Sequence, residues 1–216
     1  MRSPAWLCCI ALLAPPAAAY DTDEAFLRGT ASVNLGKLHF LDAPPPGRAV
    51  HHFRNHITLD EDSLASGWVR MRQCHENIDP VPDAQIVYGA ATMRELKLES
   101  ARNVGRVWIE NSSVQMKDIR ANAQVCVSGL TLALKREADG LWALRNGPYM
   151  RRFLDGYYAI RVSMAVTLET NRLRFVASEP DEQPGFRIWR GEREIGFDTL
   201  FEGVLRTTLR FEETPR

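Results

Sequence analysis

The chain has 216 residues, 45% of them hydrophobic and 25% charged, which is enough to bury at least one substantial core. Its 27 basic residues balance its 27 acidic residues. A chain without net charge has no field that would draw it onto nucleic acid, so we expect no nucleic-acid partner. No segment after residue 19 is long and apolar enough to predict a transmembrane helix.

The first 19 residues have the composition of a cleaved signal peptide. Arg2 precedes an apolar run from Ala5 to Ala14, and residues 17–19 are alanines, the small-residue pattern at which signal peptidase cuts. We therefore expect a mature chain of residues 20–216 that is periplasmic or secreted.

Cleavage would leave Cys74 and Cys126 as the cysteines of the mature chain. In an oxidising compartment two cysteines most commonly form a disulfide. The bridge would close a loop of about 50 residues and contribute roughly 3–4 kcal/mol. The alternatives are two free thiols or a metal-bound pair.

Alternating apolar and polar residues predict an all-β fold. The clearest strands are 158–168 and 205–211, where every second residue is apolar along most of the length. Shorter alternating stretches occur at 31–40, 50–59, 67–74, 84–88, 93–98, 106–110, 123–134, 141–144, 172–177 and 186–189. Turn-forming residues separate them. We expect a single antiparallel β-sandwich or open barrel over 20–216. The alternative is two small β modules with a boundary near 136–148.

One short helix is predicted at 148–155. Pro148 suits a first helical position, and Gly156 would end the helix. Met150, Phe153 and Leu154 would share one face.

The segment "DIRANAQVCV" (118–127) resembles the corner before the second cysteine of immunoglobulin-like sandwiches. Gln124 stands where those domains have a tyrosine. The resemblance implies a sandwich architecture and nothing about function.

Four of the five histidines lie in or near two predicted strands: His51, His52, His56 and His75. On a strand, His52 and His56 share a face but lie about 13 Å apart, and His51 points to the opposite face. A zinc or copper site would therefore need ligands from several strands, His75 among them. The other interpretation is that these imidazoles are solvated or satisfied within the core. We expect no cofactor, with a zinc or copper site as the alternative.

Aromatic and arginine side chains gather in "PYMRRFLDGYY" (148–158). Tyr149, Arg151, Arg152 and Tyr157 could line a site for an anionic or sugar ligand, because guanidinium groups bind anions and aromatic faces pack on sugars. The alternative is an amphipathic connector with solvated arginines.

The sequence has no local catalytic signature: no G-x-S-x-G, H-E-x-x-H, P-loop or G-x-G-x-x-G motif. We therefore expect an exported, non-enzymatic binding or assembly module for a protein or small ligand that the sequence does not identify. The alternatives are a metal-binding protein that uses 51–75, or an enzyme with a site assembled from distant residues.

Overall fold

A computed structural model describes residues 34–47 and 49–214. The signal peptide expected at 1–19 lies outside these residues. The described residues belong to one compact unit. Within the described ranges, no helix is long and apolar enough to cross a membrane.

The described chain is built of β-strands and one short helix, which confirms the predicted all-β class. In chain order the elements are β1 (His39–Phe40), β2 (His51–Leu59), α1 (Glu61–Ser66), β3 (Trp68–Ile78), β4 (Asp83–Val87), β5 (Met93–Glu110), β6 (Ser113–Leu132), β7 (Leu134–Arg136), β8 (Trp142–Tyr149), β9 (Arg151–Phe153), β10 (Gly156–Tyr158), β11 (Ile160–Leu168), β12 (Leu173–Glu179), β13 (Trp189–Arg190), β14 (Glu194–Glu202) and β15 (Leu205–Glu213).

The larger sheet has nine strands in the order β1-β14-β11-β2-β3-β6-β4, with β13 beside β14 and β5 beside β6. Its pairs are antiparallel except β2 and β11, which run parallel. The long strand β6 pairs with β4 near its start and with β3 near its end. Strand β5 covers the other edge of β6.

A second, four-stranded sheet has the order β12-β15-β8-β7, and β9 pairs with β10 as a separate hairpin. One buried apolar cluster draws side chains from both larger sheets. The apolar positions of β11 all belong to it, as the alternation predicted. Residues 136–148, proposed as an alternative boundary, lie where β7 pairs with β8.

The predicted helix at 148–155 is wrong, because this segment is extended. Pro148 follows a cis peptide bond within β8. Phe153 pairs with Gly156 across a turn, so β9 and β10 form a hairpin. The apolar residues at helical spacing are therefore hairpin residues.

Among the described residues, the one helix lies instead at Glu61–Ser66, within a stretch between two predicted strands where turn residues were expected. The Asp60 carboxylate accepts a hydrogen bond of 2.8 Å from the Ser63 amide, which caps the first turn. Gly67 ends the helix with φ 78°. A side chain there would also meet the Leu134 carbonyl at 2.6 Å, so only glycine fits.

The predicted disulfide joins Cys74 and Cys126. The two cysteines are opposite each other on the neighbouring strands β3 and β6. In immunoglobulin domains the conserved disulfide instead connects two facing sheets. The likeness at 118–127 therefore does not extend to the position of the disulfide.

Candidate functional site

Strands β2 and β3 carry histidines on both faces of the large sheet. The predicted strand at 50–59 is confirmed as β2, and successive side chains of a strand point to opposite faces. His51 and His75 lie on the inner face, which packs against the core, and their rings are 5.6 Å apart. His52 and His56 lie on the outer face.

Gln73 is the centre of a buried polar network on the inner face. Its Oε1 accepts hydrogen bonds from the Tyr88 hydroxyl (2.7 Å) and from His75 Nε2 (2.9 Å). Its amide donates to Asn55 Oδ1 at 2.5 Å. Since a carbonyl oxygen only accepts, His75 carries its proton on Nε2. The bare Nδ1 is buried without a partner among the described residues.

Both inner histidines are neutral at neutral pH. Burial lowers the pKa of His75 well below its ordinary value, and the neighbouring His51 lowers it further. Burial also lowers the pKa of His51 to about 4, although the charge of Asp79 opposes this shift. Phe53 lies 4.6 Å from the His51 ring and 4.4 Å from the His75 ring. Both imidazoles are therefore neutral rings packed against Phe53, with His75 buried and His51 half-buried.

The four histidines predicted as alternative metal ligands do not converge, because the sheet backbone lies between the two pairs. Across the described chain, no group of three or more histidine, cysteine, aspartate or glutamate side chains is placed to hold a metal ion.

The residues predicted as a ligand site around 149–157 do not all lie in one place either. Tyr149 is only 7% exposed and packs in the core, 5.8 Å from the Phe53 ring. Arg151 makes a bidentate pair with Asp79, with contacts of 3.2 and 2.6 Å. Arg152 and Tyr157 stack on each other in the hairpin at 5.6 Å. The structure thus keeps the last three near one another and places Tyr149 inside.

The outer face of the large sheet carries a cluster of polar side chains from four neighbouring strands, β3, β2, β11 and β14. We call it the outer-face cluster, and its members are Glu76, His52, Arg161, Ser163 and Asp198. Arg161 makes two hydrogen bonds to Asp198, of 2.7 and 2.6 Å. His52 Nε2 lies 2.6 Å from Ser163 Oγ, and its Nδ1 lies 3.5 Å from the Glu76 carboxylate.

The ionisation of this cluster follows from its contacts. Burial by itself would raise the pKa of Asp198, but hydrogen bonds and the charge of Arg161 outweigh it and lower the pKa. Burial lowers the pKa of His52, the charge of Arg161 lowers it further, and the charge of Glu76 opposes both. At neutral pH Asp198 is therefore a carboxylate paired with the Arg161 guanidinium, and the His52 imidazole is neutral.

A cavity of about 550 Å³ opens above this cluster. His52, Arg161 and Asp198 form its floor. Its walls come from the segment before β2, with Leu41 and Pro44, from the segment before β13, with Gly185 and Arg187, and from Asn77 of β3. A neighbouring cavity of about 360 Å³ shares Asp198 and extends towards His56 and Trp189.

Sequence reasoning missed this site because its members lie far apart in the chain. His52 and Ser163 are separated by 111 positions and meet only through the parallel pairing of β2 with β11. Two sequence features pointed towards it: His52 was among the candidate metal ligands, and the polar face of the predicted strand 158–168 carries Arg161, Ser163 and Thr167.

No known protein family matches the sequence, and no curated protein matches it. Among solved structures, the chain is similar to the crystal structure of a two-domain M1 zinc metallopeptidase mutant bound to L-tryptophan, with a TM-score of 0.41 and 11% identity. The match covers 80% of this chain and 44% of that one, so this chain spans less than half the length of the peptidase. A likeness at this level supports no functional statement.

Proposed function

We propose that the protein is an exported binding module that holds a small anionic ligand in the cavity above the outer-face cluster. The observation that carries the proposal is an open cavity of about 550 Å³ over a row of hydrogen-bonded charged side chains. Pockets for small ligands commonly have about 300–1,000 Å³.

Charge pairing in the cavity favours an anion. Arg161 is already paired with Asp198, whereas Arg187 is exposed and makes no salt bridge with a described residue. A guanidinium fork matches a carboxylate or phosphate group. Asp42 also lines the cavity, so a second anionic group would meet repulsion. The expected ligand therefore carries one anionic group.

The floor and walls suit a ligand that is only partly polar. Leu41, Pro44 and Leu200 provide apolar surface beside the charged floor. Hydrogen bonds within the outer-face cluster fix its side chains before any ligand arrives. Such preorganisation reduces the entropy cost of binding.

Export is part of the same proposal. The Cys74–Cys126 disulfide supports it, because disulfides persist in oxidising compartments and are rare in the cytosol.

Thermal unfolding with two probes tests the proposal: N-acetyl-L-leucine and phenyl phosphate, each with an apolar body and one anionic group. A probe present at tenfold its Kd raises the free energy of unfolding by about 1.4 kcal/mol, or roughly 3–6 °C in the melting temperature. Arg187→Met should abolish the shift. The matched control, Arg206→Met, changes an exposed arginine of β15 in the other sheet and should retain it. Equal shifts in both variants, or none in the wild type at 10 mM probe, would contradict the proposal.

A second candidate function, ester or amide hydrolysis, is favoured by one specific observation. Ser163, His52 and Glu76 are arranged as nucleophile, base and orienting acid. In that reaction His52 Nε2 would take the Ser163 hydroxyl proton as Oγ attacks the acyl carbon. It would then return the proton to the leaving group, and water would hydrolyse the acyl-enzyme.

Binding remains the first proposal because Asp198 opposes this chemistry. Asp198 also accepts a hydrogen bond from the Ser163 side chain, and its charge would repel a developing oxyanion. Labelling with a fluorophosphonate probe separates the two functions. Hydrolysis predicts covalent labelling that Ser163→Ala abolishes, and a pure binding module predicts no labelling in either protein.

A further inference from the structure

The β9–β10 hairpin projects apolar side chains into solvent. Leu154, in its turn, is fully exposed, and Phe153 is 46% exposed. Leu35, which is 90% exposed, lies beside the hairpin, because its neighbour Asn34 pairs with Tyr157. We call Leu35, Phe153 and Leu154 the apolar tip. Leu154 and Leu35 are the most exposed large apolar side chains in the described chain.

The hairpin beneath the apolar tip is held by specific contacts. Arg151 is bound to Asp79 through two hydrogen bonds, and its guanidinium also lies 5.1 Å from the Phe153 ring. The Tyr157 amide donates to the Asn34 carbonyl at 3.0 Å. The exposure of the apolar tip is therefore a feature of an ordered hairpin.

Amphipathic side chains surround the apolar tip. Arg152 stacks on Tyr157 and makes no salt bridge with any described residue. Tyr158 donates a hydrogen bond to Asp155, the acid next to Leu154. Arginine and tyrosine have an apolar body and a polar end, and they are enriched where proteins meet the interface of a bilayer.

The shape of this region favours a lipid surface over a protein. A specific protein interface buries about 800 Å² on each partner, which three side chains on a convex turn do not provide. The strength of shallow insertion into a bilayer instead scales with the apolar area that is buried. We infer that the apolar tip inserts into the interface of a phospholipid bilayer, with Arg152 against lipid phosphate. This inference goes beyond the proposed ligand site and does not depend on it.

The balanced charge of the chain predicts that binding to vesicles does not depend on anionic lipid. With 27 basic and 27 acidic residues, long-range attraction to anionic lipid contributes little. Insertion of the tip should therefore produce similar binding to phosphatidylcholine vesicles and to vesicles in which part of that lipid is replaced by phosphatidylglycerol.

Co-sedimentation of the protein with both kinds of vesicle tests the inference. The wild type should bind both, and Leu154→Asp should reduce the partition coefficient at least about tenfold. The matched control is Val87→Asp, which adds the same charge at a side chain that is 67% exposed on β4 and should bind as the wild type does. Thermal unfolding of all three should agree, because neither side chain is buried.

Three results would overturn the inference. The first is wild-type protein that binds neither kind of vesicle, and the second is an equal loss of binding in both variants. The third is a dimer at micromolar concentration, seen by light scattering, that Leu154→Asp dissociates, since this would assign the apolar tip to a second copy of the chain.

Discussion

The two faces of the large sheet place histidines in opposite environments. On the inner face, His75 is buried in the core and His51 is half-buried beside it, and both rings are neutral. One position along β2, His52 lies on the outer face and contacts Ser163 and Glu76 beneath an open cavity. Because successive side chains of a strand point to opposite faces, adjacent histidines of β2 lie in different environments. One packs against the core, and the next lies beside an open cavity.

The largest expected difference between the two faces is the effect of acid on stability, which acts through the histidines of the inner face. His51 and His75 have a folded-state pKa below the ordinary 6.5, so below pH 6.5 the unfolded chain binds protons that the folded chain does not. The free energy of unfolding therefore falls as pH decreases, by up to about 1.4 kcal/mol per pH unit for each histidine. The loss for His51 ends near its folded pKa of about 4.

Urea unfolding at pH 7.5 and pH 5 measures this effect, and we expect a loss of about 4 kcal/mol from the two histidines together. His51→Phe should remove about half of the loss, because only His75 then remains to titrate. If the variant and the wild type lose the same stability, His51 is not held neutral by burial.

Two substitutions at adjacent positions of β3 compare the contributions of the inner and outer faces to stability. Gln73→Met removes the acceptor of His75 and Tyr88 and the donor to Asn55. We expect a loss of about 3 kcal/mol, because these polar groups would stay buried without partners. Arg72→Met, one position away on the exposed outer face, should change stability by about 0.5 kcal/mol or less. Equal losses in urea unfolding would mean that the inner network does not stabilise the fold.

In the outer-face cluster we expect only a small effect on stability. Arg161 and Asp198 have side chains 51% and 44% exposed, so Arg161→Met should cost about 1 kcal/mol or less. The same variant should raise the pKa of Asp198, since hydrogen bonds and charge from Arg161 lower it. Carbon-13 NMR titration of the Asp198 carboxyl measures the change. An unchanged pKa would show that Arg161 does not hold this carboxylate.

Sequence periodicity predicted the parts of the fold that depend on local alternation. Strands β2, β11 and β15 lie where the pattern placed them, and the disulfide was predicted from the cysteine count and the expected compartment. The error at 148–155 has a physical origin. Phe153 and Leu154 mimic a buried helical face, but they belong to an exposed hairpin turn.

The cap residues of α1 were present in the sequence as Asp60 and Gly67, but six residues are too few to show a helical period. The candidate site could not be predicted, because it depends on register. Arg161 faces His52 only through the pairing of β2 with β11, and Ser163 faces Asp198 only through the pairing of β11 with β14.

Chemical-shift mapping with phenyl phosphate tests most directly whether ligands bind the outer face. The protein would be labelled at histidine and arginine side chains and titrated with the probe at constant pH. We expect saturable shifts at His52, Arg161 and Arg187, with His51 and His75 unchanged on the other side of the sheet. Shifts confined to His51 and His75, or no saturable shift up to 10 mM probe, would contradict the assignment of the ligand site to the outer face.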